Sequence, residues 1–139
     1  MKREIKFRVF DLTDSVMMYG NDKDVKIEFY DDEIKVHYID EVHTVINGIY
    51  QDVPRICQCT DFEVMQITGL KDKNGKDIWE GDIVKNWQGG WNVVVWKDYA
   101  FQATVDAEQS SFYSKEWWDK TEVIGNIYDN PELLETKNA

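Results

Sequence analysis

Five groups of residues in this 139-residue chain have chemistry to offer: two thiols, two imidazoles, a run of carboxylates, a serine-rich segment and six tryptophans. Cys57-Gln58-Cys59 offers thiolates, which bind zinc. A structural zinc needs four ligands, usually with two to four residues between paired cysteines, and here there is one. In an extended segment both thiols face the same way. Two small residues packing at the edge of a core is the simpler expectation. His37 and His43 are general-base candidates, but a base needs a nucleophile within hydrogen-bond reach, and neither lies in such a motif. Asp77, Glu80 and Asp82 can be paired carboxylates or cation ligands, yet the calcium-loop spacing is absent. Asp72, Asn74 and Gly75 fit turn chemistry instead, with Asx side chains bonding local backbone and glycine supplying positive φ. Ser110-Ser-Phe-Tyr-Ser114 carries no nucleophile-elbow glycines, and no phosphate-binding loop is present. The expectation is a protein that is not an enzyme, with no catalytic residues, no metal and no cofactor.

Trp79, Trp87, Trp91 and Trp96 fall close together, and Trp117-Trp118 are adjacent. Most should fill a core. Adjacent tryptophans in an extended segment cannot both face one interior. Trp91 follows Gly89-Gly90 at an expected hairpin tip. Exposed aromatics mark contact surfaces for protein. The candidate partner-binding residues are therefore Trp91, Phe112, Tyr113, Trp117 and Trp118.

The elements that must position these residues are strands. Ile5, Phe7 and Val9 alternate with Lys6 and Arg8, a half-buried pattern. Strands are expected at 16–19, 25–29, 34–39 and 42–46, ending at Asn47-Gly48, so that residues 1–48 form an antiparallel meander. Residues 49–61 lack a clean period, and Pro54 restricts any strand there to an edge, so this segment is expected to connect two halves. Further strands are expected from Phe62 to Leu70, from Ile83 to Trp87, over Val93–Trp96 as a run buried on both faces, from Phe101 to Val105 and from Val123 to Ile127. Asn74-Gly75 signals a type I′ hairpin turn, and Glu80-Gly81-Asp82 and Gln88-Gly89-Gly90 signal further turns. Residues 106–121 are ambiguous. Asn130 and Pro131 open a short helix packed down by Leu133-Leu134. The fold class is mainly β: an N-terminal antiparallel meander over 1–61 and an SH3-like small barrel with a C-terminal helical turn over 62–139, either as two modules or as one continuous domain.

The formal net charge is −11. Residues 1–60 carry 8 Lys/Arg against 12 Asp/Glu, and residues 61–139 carry 8 against 15, so the acidity is spread along the chain. Such a surface repels phosphates and anionic membranes, which makes direct nucleic-acid binding and membrane association unexpected. No apolar run reaches the length of a signal peptide or a membrane span, so a cytoplasmic protein with reduced cysteines is expected.

The segment from Met65 to Val84, MQITGLKDKNGKDIWEGDIV, resembles the signature of the YopX family of phage and prophage proteins. The opening, REIKFRVFD from Arg3 to Asp11, is similar to that family's Arg–Phe–Arg strand leading into an Asp turn, and Glu122–Leu134 resembles its ending. The resemblance spans most of the chain, with 12–60 and 106–120 following it loosely. It implies a largely β fold and a bacterial cytoplasmic setting, and brings no catalytic or binding residues to map. The expected function is that of a phage or prophage accessory protein acting as a protein-binding or self-associating module. The alternatives are an acidic DNA mimic or regulator of a nucleic-acid process acting on a host protein, and a cryptic enzyme.

Overall fold

The computed structural model describes residues 5–98, 100–104 and 110–136. The expected strand residue Val105 and the ambiguous residues 106–109 lie outside them. The described residues divide into two compact units, one from Phe7 to Val64 and one made of those from Met65 on together with Ile5 and Lys6. Both are built mainly of antiparallel strands, and the helices are short.

In the first unit, β1 (Phe7–Asp11) pairs with β2 (Val16–Tyr19), from Arg8 opposite Tyr19 to Asp11 opposite Val16. The Asp11 carboxylate accepts from the backbone N–H groups of Thr13 and Asp14, so the turn is held by its first residue. The alternation in Ile5–Val9 predicts a half-buried strand, but β1 is buried on both faces: Arg8 is as enclosed as Val9, and its guanidinium lies over the Tyr19 ring. A second sheet contains β3 (Val25–Phe29), β4 (Ile34–Ile46) and β5 (Ile49–Cys59), in that order. Val9, Met18, Val36 and Cys59 form the core, with Val25, Ile27 and Phe62 among the residues packed against it.

β5 corrects the expectation that 49–61 is the connection between the halves, while the restriction of any strand there to an edge holds. It pairs with β4 over eleven residues, from Val36 opposite Cys59 to Ile46 opposite Ile49. Asn47 (φ 52) and Gly48 (φ 77) close the two strands with a left-handed two-residue turn, as a type I′ loop requires. The strands expected at 34–39 and 42–46 are one continuous strand. Pro54 is tolerated because β5 is the sheet's outer strand, where a missing N–H breaks no ladder.

In the second unit, β6 (Phe62–Lys71), which begins in the first, pairs with β7 (Asp77–Trp79) across a register shift. β8 (Asp82–Lys85), β9 (Trp91–Lys97), β10 (Ala100–Thr104), β11 (Ser110–Ser111) and β12 (Glu122–Asn126) make one sheet in the order β11-β10-β9-β8-β12. The last strand thus returns beside the first of the meander. Between β11 and β12 runs α1 (Lys115–Asp119), and α2 (Glu132–Thr136) follows β12. Ile78, Val84, Val94, Ala103 and Trp118 form this unit's core.

Buried polar side chains pin the connections. The Asp72 carboxylate accepts from the N–H groups of Asn74 and Lys76 in its own turn, and from that of Val123 in β12. Gly75 alone has positive φ there (78), so the turn is not the expected type I′, which needs Asn74 to be left-handed as well. Asp82 accepts from Trp79 N–H, and Glu80 from Gln66 N–H. The run expected to be buried on both faces at Val93–Trp96 is buried at Val94 and half-buried at Val93 and Val95, and it ends with Trp96 exposed against Phe101. Asn130 precedes α2 as expected, but its side chain turns back to accept from Asn126 N–H in β12.

Candidate functional site

The residues nominated for chemistry are dispersed. Cys57 and Cys59 share one face of β5, and Cys59 lies in the core. Burial, with Asp11 nearby, pushes its thiol up to about 11, so it stays protonated and inert at neutral pH. His37 and His43 stand opposite Gln58 and Asp52 in the ladder, on the other face of the ribbon from the cysteines. Six strand positions separate the two histidines by about 20 Å. His43 Nδ1 contacts the Asp52 carboxylate in an exposed cross-strand pair. Asp77 pairs with Lys71 on the surface, whereas Glu80 and Asp82 hold backbone N–H groups. Among the described residues, no three His, Cys, Asp or Glu side chains gather to hold a metal ion. No helix among them is long and apolar enough to cross a membrane.

The Asp72 carboxylate is perturbed by its turn. Burial alone would raise its pKa, but the N–H groups of Val123, Lys76 and Asn74 favour the ionised form, and the net shift is downward. Its charge serves the fold.

The nominated aromatics separate into two groups. Ser114 accepts from Trp117 N–H to start α1, so Trp117 and Trp118 are helical rather than extended. A helix turns adjacent side chains about 100° apart, which sends Trp118 (2% exposed) into the core and leaves Trp117 at its margin. Trp118 is thus corrected from a surface candidate to a core residue. Tyr113 stacks on Trp117, with centroids 3.8 Å apart, and Phe112 is exposed beside it in sequence. Trp91 is half-buried on β9 opposite Lys85, not at a hairpin tip. The tryptophans the structure exposes are Trp87 and Trp96, which the sequence reading did not nominate.

Sequence reasoning also missed the β4–β5 ribbon. β3 pairs with β4 only from Ile34 to Tyr38. From Ile39 to Ile56 the hairpin runs on as two strands. Opposed residues share a face, so Ile39/Ile56, Glu41/Pro54, His43/Asp52 and Val45/Tyr50 lie together. Ile56 (76%) and Tyr50 (87%) are among the most exposed apolar side chains in the molecule, and Ile39 and Val45 are about half exposed. The opposite face adds Ile46 and Ile49, also exposed. The missed signal was the pairing of Asn47-Gly48 with apolar residues on both sides of it.

Comparison with known proteins agrees with the fold. A family model described as YopX protein matches residues 6–135. The crystal structure of protein EF1440 from Enterococcus faecalis is similar, with 27% identity, a TM-score of 0.65, and 96% of this chain and 99% of that one covered. That of protein yopX from Bacillus subtilis shares the fold, with 20% identity, a TM-score of 0.60, and coverage of 93% and 95%. Among curated proteins none matches.

Proposed function

This chain belongs to the YopX family, and from that premise we propose that it is a non-enzymatic accessory protein of phage or prophage origin, acting in the bacterial cytoplasm by docking the β4–β5 ribbon onto another protein. The carrying observation is a row on one face of a regular ladder whose two ends are exposed apolar pairs, Ile39/Ile56 and Val45/Tyr50, with Glu41/Pro54 and His43/Asp52 between them. Burying that row in a partner removes apolar surface from water, and the outer edge of β5 offers backbone groups for strand addition. Glu41 and Asp52 put charge between the two apolar pairs and Asp40 puts it on the opposite face, a device that restrains indiscriminate edge pairing. Phe112, Tyr113 and Trp117 supply a smaller second surface that serves as an internal comparison, with half-buried Trp91 as the weakest candidate.

The test combines light scattering for self-association with capture from host lysate, using the wild type, Tyr50→Ser/Ile56→Ser and Phe112→Ser. The reading expects either a dimer or a captured protein that disappears with the ribbon variant and persists with Phe112→Ser. A monomer whose captured set is unchanged by the ribbon variant would sink it. Salt separates apolar docking from acidic mimicry of DNA, because only the latter weakens steeply as ionic strength rises.

A further inference from the structure

In the second unit, a cleft of about 660 Å³ opens beside the turn joining β8 to β9. Lys73, Lys85, Lys120 and Trp87 line it, with Asp119 and Glu122. In a chain of net charge −11 this is a local inversion, three ammonium groups to two carboxylates. Both carboxylates are already engaged: Glu122 lies 3.4 Å from Lys73 Nζ, which spends one of the three lysines, and Asp119 lies 2.9 Å from Lys115 Nζ, which leaves Lys85 and Lys120. Lys85 faces Glu122 across the ladder, but that carboxylate is turned to Lys73. Lys120 Nζ sits 6.0 Å from the centre of the Trp87 ring.

Trp87 is 62% exposed, yet the turn that carries it is braced. Asn86 accepts from Gln88 N–H and Gly90 N–H, donates its side-chain amide to Asn92, and donates its own N–H to Gly90. A large exposed ring on a fixed turn, with one ammonium over one face, offers the rest of its surface as a stacking platform beside charge. An aliphatic anion would use the lysines and leave the ring idle, and an apolar ligand would do the reverse. A nucleotide uses both. The volume also lies in the range of small-ligand sites.

We propose that this cleft binds one nucleotide unit, with its base against Trp87 and its phosphate at Lys85 and Lys120. The unit is a free nucleotide or the end of a short single strand. Duplex is excluded, because a chain of net charge −11 repels a long phosphate backbone. The site shares no residue with the β4–β5 ribbon, so it stands or falls separately from protein docking.

Calorimetric titration of the full chain at low salt tests this with adenosine monophosphate, a thymidine tetranucleotide, inorganic phosphate, a short duplex and a hexaglutamate peptide. Saturable binding of the mononucleotide or the tetranucleotide is expected, weakened roughly tenfold by Trp87→Ala and by Lys85→Gln/Lys120→Gln. Comparable binding of the two points to the free nucleotide, and a tighter tetranucleotide to a strand end. Circular dichroism checks that each variant is folded, and Trp87→Leu, which keeps an apolar side chain without the indole, replaces Trp87→Ala if that variant unfolds. The inference is overturned by no saturable binding up to about 10 mM, by inorganic phosphate, the duplex or hexaglutamate binding as well as the nucleotide, or by variants that bind like the wild type.

Discussion

The β4–β5 ribbon and the turns around Asp72 hold their chain in opposite ways. The ribbon is regular: eleven facing pairs, one left-handed turn, and apolar side chains left in water. Its shape comes from the backbone ladder, which asks little of side-chain identity. The Asp72 region is irregular, with its backbone donors met by buried carboxylates rather than by a neighbouring strand. Side-chain identity there is structural. The ladder therefore makes no demand on the apolar side chains of the open ribbon, whereas the carboxylates of Asp72 and Asp82, which look like a site, are committed to the fold.

The largest effect should come from the second unit's core. Trp118→Ala removes a buried indole and is expected to cost about 3–5 kcal/mol, seen as a lower urea midpoint. A loss under about 1 kcal/mol would mean that the core does not depend on this ring.

Asp72→Asn comes next, at about 2–3 kcal/mol, because a neutral amide cannot replace a carboxylate accepting three N–H groups. The folded pKa of Asp72 is lowered. Its contribution is therefore fully present above the unfolded value near 3.8 and fades as pH falls through the folded value. The wild type should lose stability in acid more steeply than Asp72→Asn, and parallel acid limbs would count against the carboxylate as the pin.

The ribbon should respond more weakly and locally. Gly48→Ala puts a Cβ at φ 77 and is expected to cost about 1 kcal/mol. Hydrogen exchange should quicken along β4 and β5 near the turn, with little change at Val84 or Val94. A uniform change throughout the chain would erase the contrast between the regions. Smallest of all, Tyr50→Ser should move the urea midpoint by an amount equivalent to about 0.5 kcal/mol or less. A larger loss would show that the ribbon's apolar side chains support the fold.

The alternation of Val25, Ile27 and Phe29 and the break at Asn47-Gly48 were legible in the sequence because each is a local signal. β5 was not, because Gln51, Asp52, Pro54 and Arg55 interrupt any apolar period, and only its partner β4 makes it a strand. Asp72 read correctly as a turn residue, but its bond to Val123, 51 residues away, had no local trace. The aromatics were the least legible. Trp87 and Trp118 are the same residue type, and their exposure is set by whether a braced turn or a helix carries them.

The sequence by itself determined a mainly β chain, the places of most turns, an acidic composition and the family resemblance. These follow from residue type, short-range spacing and charge, which need no partner to be read. Only the tertiary structure decided which strands pair, which charges act as pins and which aromatics meet water. Those depend on contacts between residues far apart in the chain, and a residue's type does not say what will fold against it.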